Sequence, residues 1–217
     1  SIDNRNYAPE CAEFNIAYQQ IPEYMAFDLE AFAQQTFRMN SAQWLVALLD
    51  NAFLPYQDII YQAAQQLAST HDLVIGHHFL YPLKLAARKY NKPFYSVTFC
   101  HGVLQSVSQP PFRFPNLGKQ LNPWQWRLMN YLFDFLLKKK LTQLWHQEGM
   151  PKVKHVLSEL LTSDTLNLVA VDPVFCPTRT EWSAQHQACG FLNLPTHQQT
   201  WQIGANLQAF LDAGSPP

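Results

Sequence analysis

DLVIGHHFLYPLKLAARKYNKPFYSVTFCHG, residues 72–102, has the pattern of a complete β-α-β unit. Two short apolar runs, residues 73–75 and 94–99, flank a segment with helical periodicity that ends before Lys92 and Pro93. Both runs are nearly continuous in apolar residues, which is typical of parallel strands that are covered on both faces. The segment therefore predicts an α/β fold with a Rossmann-like, doubly wound and mostly parallel sheet flanked by helices.

The helix inside this unit is expected to be amphipathic. Its apolar stripe faces the sheet and consists of Leu83, Ala86, Ala87 and Tyr90. The opposite stripe is expected to face water and consists of Lys84, Arg88 and Lys89.

The loops that follow the two strands are the candidate binding site. In a parallel sheet, ligands bind at the carboxyl ends of the strands, and both strands of a β-α-β unit end at the same edge. The residues that the chain places at this edge are His77, His78, Phe79, His101 and Gly102. Residues 103–122 follow as a long Pro-rich loop without a sustained apolar period, so we expect it to be mobile and to bring Phe112 over the site as an aromatic lip.

Besides substrate binding, these residues suggest metal binding, helix capping and a cysteine nucleophile. His77 and His78 resemble a metal pair, but neighbours on an extended backbone point to opposite sides and no third ligand follows at a recognisable spacing, so no metal site is predicted. One imidazole can instead cap the following helix while the other is solvated. Cys100 beside His101 is interpreted as a buried structural cysteine rather than a nucleophile, because adjacency in sequence is not spatial pairing.

Composition limits the function classes. A net charge of −1 and a pI near 6.7 give no field for binding nucleic acid. Four separated cysteines, without a CxxC pair, predict free thiols and a reduced, cytoplasmic chain. No stretch has the length of a transmembrane segment.

The rest of the chain is predicted as alternating helices and strands. Helices are expected at residues 28–39, from Ser41 onward with a restart at Pro55, and at 123–146, 153–161 and 201–213; further strands are expected at residues 14–21, 168–171 and 186–192. The helix at 123–146 has a broad apolar face made of Trp124, Leu128, Tyr131, Leu132, Phe135 and Leu136.

That aromatic helix supports a second hypothesis. An aromatic helix is most often core, and the lysines at 138–140 are most often a solvated face. Together they also fit an interfacial helix with aromatic rings at a lipid boundary, so the alternative function is a non-catalytic module that binds lipid or protein through residues 123–146.

Several segments, in their order, carry a family resemblance. These are residues 72–99, the Pro-rich loop, QEGMP at 147–151, LNLVAVDPVFCPTRTEWSAQHQACGFLNLP at 166–195 and LQAFLDAGSPP at 207–217. The chain from residue 14 to residue 217 resembles the amino-terminal, acceptor-side domain of GT-B glycosyltransferases, in the bacterial UDP-glucosyltransferase branch related to sterol, glycopeptide and flavonoid enzymes.

The resemblance implies a hexosyltransferase that moves a hexose from a nucleotide sugar, a UDP-sugar, to a hydroxyl of an apolar acceptor without any other cofactor. It implies an acceptor-side domain at residues 1–213 that lacks its first strand or strands, with residues 214–217 beginning an interdomain linker. A carboxyl-terminal nucleotide-sugar domain would be its partner within the same protein. The catalytic histidine base of the family is expected upstream, so no catalytic residue is assigned here and the chain alone is expected to be inactive. An aspartate that holds this histidine in plant members falls at His77, where an imidazole cannot act as a carboxylate.

Overall fold

A computed structural model describes residues 6–21, 28–100, 102, 104–111, 114–193 and 203–214. The helices are α1 (Ala8–Glu13), α2 (Leu29–Thr36), α3 (Ser41–Leu48), α4 (Gln57–Thr70), α5 (Tyr81–Lys89), α6 (Asn122–Leu141), α7 (Gln143–Gln147) and α8 (Ala205–Asp212). Two π-helical turns, π1 (Leu49–Phe53) and π2 (Val156–Leu160), and a 3₁₀ turn at Leu54–Tyr56 complete the helical elements. The strands are β1 (Val74–His77), β2 (Phe94–Thr98), β3 (Leu166–Val169) and β4 (His186–Ala188).

The four strands form one parallel sheet in the order β1-β2-β3-β4. Val74 pairs with Phe94, Tyr95 pairs with Leu166, and Asn167 pairs with His186, so the strands leave the sheet at one common edge. The chain therefore has an α/β fold that is mostly helical around an all-parallel sheet. The strand order follows the chain order, and no reversal occurs among these four strands.

The predicted β1-α5-β2 unit is confirmed. Gly76 lets α5 approach β1 closely, because a Cβ at this position would lie 2.9 Å from Cδ2 of Leu83 and 3.4 Å from a ring carbon of Phe94. The main core continues from this contact into α4, α6, α7 and π2. It is built around fully buried residues such as Ile60, Leu85, Leu137 and Val156.

The helical region before β1 also follows the sequence. Asp28 caps α2 by accepting a hydrogen bond from the backbone N–H of Ala31 at 2.9 Å. Asn40 and Gln43 form a capping box at the start of α3. The expected restart at Pro55 is present, since π1 and the 3₁₀ turn at Leu54–Tyr56 separate α3 from α4.

The predicted strand at residues 14–21 is wrong. The chain turns after α1 at Asn15, which has a φ of 54° and donates its backbone N–H to the carbonyl oxygen of Ala12 at 3.0 Å. Residues 16–21 then run without regular structure to Ile21, whose side chain is buried in the core. Alternating residues satisfied the strand pattern, but none of the strands in the described ranges pairs with them.

The prediction that Lys84 faces water is also wrong. Its side chain is only 4% exposed, and its ammonium group donates to the carbonyl oxygens of Glu159 at 2.7 Å and Thr162 at 2.6 Å and pairs with Asp164 at 3.2 Å. The last carbonyls of a helical turn have no partner within it, so a cation that docks there replaces the missing hydrogen bonds. Lys84 thus ties α5 to the end of π2.

The apolar face predicted for the aromatic helix lies largely in solvent. Five members of that face, Trp124, Leu128, Tyr131, Leu132 and Phe135, are exposed, with Phe135 at 87%. The buried side of α6 carries Trp126 and Leu137 together with the polar residues Asn122, Gln125 and Asn130.

The four cysteines are free thiols. Cys176 is buried, but Cys100 and Cys189 are exposed, so the interpretation of Cys100 as a buried structural cysteine is wrong. In the described part of the chain, no helix combines the length and apolar character that a membrane crossing requires.

Candidate functional site

The candidate site is an apolar cavity of about 860 Å³ between α3 and α6. Met39 and residues of α3 form one wall, residues of α6 form the other, and Leu157 of π2 contributes to the lining. Phe79 and Gly102 bring to it the segments that follow β1 and β2. Its volume lies within the range of small-molecule sites, about 300–1,000 Å³, which are mostly apolar with a few polar groups.

Phe79 reaches the cavity because the chain turns where β1 ends. His78 still extends the sheet, since its backbone N–H donates to the carbonyl oxygen of Val97 at 3.0 Å. The turn then closes with Leu80 donating its backbone N–H to the carbonyl oxygen of His77 at 2.8 Å. Phe79 lies inside this turn, between the sheet and the start of α5.

The turn also brings the two imidazoles together. The ring centroids of His77 and His78 lie 4.1 Å apart, and the His78 ring lies 4.6 Å from that of Phe79. Stacking on Phe79 at 5.9 Å and on Phe99 at 5.4 Å holds the ring of His77 in place. The expectation that these neighbours point to opposite sides is therefore wrong, because the turn begins at His78, directly after the last residue of β1, although the backbone N–H of His78 still bonds to β2.

Both histidines are held neutral by their surroundings. Burial first, and the neighbouring His77 second, lower the pKa of His78 from 6.5 to about 4, although its backbone contact with Val97 opposes the shift. Burial also lowers the pKa of His77. Nδ1 of His78 is buried and has no hydrogen-bond partner among the described residues. A neutral imidazole with one unpaired nitrogen is able to bind a hydroxyl group.

The six residues predicted for the site are only partly brought together. His77, His78 and Phe79 form one aromatic cluster, and Phe79 shares the cavity lining with Gly102. The two histidines do not line the cavity. Their rings pack against Phe79, which does. His101 and Phe112 lie outside the described residues.

The loop before α6 is attached to the protein, which differs from the loose loop that we expected. The buried polar side of α6 holds its backbone: Asn122 donates to the carbonyl oxygen of Val107 at 3.0 Å, and Trp126 donates through its indole N–H to that of Gln109 at 2.8 Å. On the other side of the loop, Ser106 and Ser108 donate hydrogen bonds to the carboxylate of Glu181. These bonds, first from Ser106 and then from Ser108, lower the pKa of Glu181 to about 2. The described loop residues therefore have fixed attachments.

The residues that sequence reasoning missed are the apolar side chains that make up most of the cavity wall. They are Met39, Trp44, Leu45 and Leu48 before and along α3, and Met129, Leu132, Phe133 and Leu136 of α6. Their helical spacing was visible in the sequence. The same spacing is typical of core residues, and only the packing of α3 against α6 shows that it encloses a space.

No group of three metal-ligating side chains occurs among the described residues. A comparison of the chain with protein-family models and with curated proteins finds no match.

Proposed function

We propose that this chain is the acceptor-binding half of a glycosyltransferase that moves a hexose from a nucleotide sugar to a hydroxyl of an apolar acceptor. The observation that carries this proposal is the apolar cavity between α3 and α6, which reaches the carboxyl ends of β1 and β2 through Phe79 and Gly102. In this proposal the domain has the Rossmann-like topology of a GT-B half.

The cavity and the histidine cluster fit the two parts of such an acceptor. The apolar walls would hold the body of the molecule, since burying apolar surface contributes about 25 cal/mol per Å². The neutral imidazoles of His77 and His78 pack against the Phe79 ring that borders the cavity, so the hydroxyl group would be directed toward this end. The proton-accepting base and the site for the donor diphosphate are assigned to other parts of the enzyme.

Two leucines of α6 provide a matched test of acceptor binding. Leu132 lines the cavity and is 43% exposed, whereas Leu128 lies one turn earlier, is 49% exposed and does not line it. With 2-naphthol as the probe, calorimetry on Leu132→Gln should show binding weakened by about tenfold, which corresponds to about 1.4 kcal/mol. Leu128→Gln should bind like the wild type. Equal affinities for the two variants, or no binding of 2-naphthol by the wild type, would contradict the proposed pocket.

A second candidate function is docking on a lipid surface through α6. The exposed stripe of Trp124, Leu128, Tyr131 and Phe135 favours it, because tryptophan and tyrosine are suited to the boundary between lipid and water. The side chain of Arg127 lies over the Trp124 ring at 4.7 Å and adds a cation to the same surface.

A further inference from the structure

A second cavity, of about 480 Å³, is lined mainly by polar groups. It lies between α6, π2 and the starts of β3 and β4, and Leu104 and Gln105 bring to it the loop that follows β2. The groups that its lining offers to a ligand are the side chains of Gln105, Asn130, His155, Ser158, Gln185 and His186.

The one carboxylate in the described lining of this cavity is already paired with a cation. No lysine or arginine belongs to its described lining, and its one carboxylate, Asp164, pairs with Lys84 at 3.2 Å. Burial lowers the pKa of His186, so this imidazole is neutral at pH 7. A phosphate or a carboxylate would find no free cation here, whereas amides and hydroxyls both donate and accept hydrogen bonds.

Asp134 orients one of the histidines. Its Oδ2 lies 2.8 Å from Nδ1 of His155, and its Oδ1 accepts the backbone N–H of Val156 at 2.8 Å. Because a carboxylate only accepts hydrogen bonds, Nδ1 of His155 carries a proton in this contact, and in the neutral ring Nε2 is then the nitrogen able to accept a hydrogen bond. His155 thus combines a fixed ring with an acceptor on the lining of the cavity.

Two further polar atoms lack partners on the β4 side. Nδ1 of His186 and the indole N–H of Trp182 are buried and make no hydrogen bond within the described ranges. Their rings meet edge to face with centroids 6.3 Å apart. Leaving such a group unpaired costs about 1–3 kcal/mol, and a ligand in the cavity could supply a partner to His186, which belongs to the lining, but not to Trp182, which does not.

We propose that this cavity binds a neutral, polyhydroxylated small molecule of monosaccharide size, whose hydroxyl groups pair with Gln105, Asn130 and His155. Its volume lies in the range of small-molecule sites. A hydroxyl group both donates and accepts, as this mixed set of amides and an oriented imidazole requires.

The test follows the histidine ring signals of the ¹⁵N-histidine-labelled chain by NMR during titration with methyl β-D-glucopyranoside. The signals of His155 and His186 should shift with a saturable dependence, while that of His71, exposed at the end of α4, should stay in place. Inorganic phosphate in a parallel titration should shift neither cavity histidine. The proposal is overturned if the glucoside leaves His155 and His186 unchanged, if His71 shifts equally, or if phosphate produces the saturable shift instead.

A pair of glutamine variants localises the binding. Gln105 lines the cavity and is exposed enough to replace without disturbing the core, and Gln187 on β4 is an exposed glutamine outside the lining. Gln105→Leu should weaken glucoside binding by about three- to tenfold, the value of one neutral hydrogen bond, and Gln187→Leu should leave it unchanged. Equal affinities would overturn the assignment. Binding of 2-naphthol should survive Gln105→Leu, so failure here is distinguishable from failure of the apolar acceptor pocket.

Discussion

His78 combines deep burial with a ring nitrogen that has no hydrogen-bond partner among the described residues, and this combination lowers the stability of the folded protein at acidic pH. Its side chain is 6% exposed, and its pKa in the folded protein is about 4 against an ordinary value of 6.5. Between these values the unfolded chain binds a proton that the folded protein does not, so stability is complete above pH 6.5 and falls as the pH is lowered.

The first prediction follows from this loss of stability as the pH is lowered. The free energy of unfolding should fall by about 2 kcal/mol between pH 7 and pH 5 through His78 alone. His78→Phe removes the titrating group and should reduce the acid loss by that amount in urea unfolding at both pH values. His77 and His186 also have lowered pKa values and would leave a residual slope in the variant. An unchanged loss in His78→Phe would show that the imidazole protonates freely in the folded protein.

The second prediction concerns Lys84. Burial lowers the pKa of this ammonium group and the nearby Asp164 opposes the shift, so burying the charge is itself costly. Its removal nevertheless leaves the carbonyl oxygens of Glu159 and Thr162 without their partner. Lys84→Met should therefore destabilise the protein by about 2–4 kcal/mol in urea unfolding.

The matched control for that variant is Lys92→Met. Lys92 pairs with the fully exposed Asp72 at 3.4 Å, and an ion pair of this kind contributes at most about 1 kcal/mol. Similar losses for the two methionine variants would mean that the buried contacts of Lys84 stabilise no more than a surface pair does.

At the scale of elements, the contact between β1 and α5 depends on a residue without a side chain. A Cβ at Gly76 already meets Leu83 at 2.9 Å, and valine adds two further methyl groups to this crowded space. The third prediction is that Gly76→Val destabilises the protein by about 1–3 kcal/mol through overpacking. Gly214, with no atom within 4 Å of an added Cβ, is the control, and Gly214→Val should leave the melting temperature unchanged. Equal melting temperatures for the two variants would show that α5 retreats from the sheet without cost.

Local sequence patterns predicted where helices and strands lie more successfully than they predicted what each element packs against. The β1-α5-β2 unit and the capped start of α2 were predictable because periodicity and capping residues act within a few positions. The strand expected at residues 14–21 was wrong because pairing requires a partner that the local pattern does not show. The prediction of which side of α6 is buried was wrong, because its polar residues are buried against loop carbonyls that are distant in sequence.

For the candidate site, too, the sequence predicted what depends on topology and missed what depends on packing. The strand-end rule depends only on parallel topology, and Phe79 and Gly102, two of the six residues it selected, line one cavity. The long walls from α3 and α6 were not predictable, because a stripe that encloses a cavity and a stripe that fills a core have the same spacing. The polar cavity was missed because Asn130, His155 and His186 come from three separate segments.

At the scale of the whole molecule, α6 contacts three different surroundings. Its residues line the apolar cavity and the polar cavity, and its third side presents an aromatic stripe to solvent. The neighbouring lysines contribute less to that outer surface than their number suggests. Lys138 donates to the carbonyl oxygen of Lys154 at 2.6 Å, and Lys140 pairs with Asp50 at 2.6 Å. If the stripe binds lipid, apolar burial should dominate over attraction to anionic headgroups.

The last prediction tests that balance with two exposed phenylalanines. Phe135 on the stripe is 87% exposed and Phe175 on a different segment is 72% exposed, so replacing either with serine should hardly change stability. The wild-type chain should co-sediment with neutral phosphatidylcholine vesicles, and anionic lipid should strengthen this binding only slightly. Phe135→Ser should reduce the bound fraction several-fold because it removes about 2 kcal/mol of apolar burial, while Phe175→Ser should bind like the wild type. Binding that requires anionic lipid and is insensitive to Phe135→Ser would mean that charge, and not the aromatic stripe, directs the chain to the surface; an absence of co-sedimentation would leave the stripe without a role at lipid.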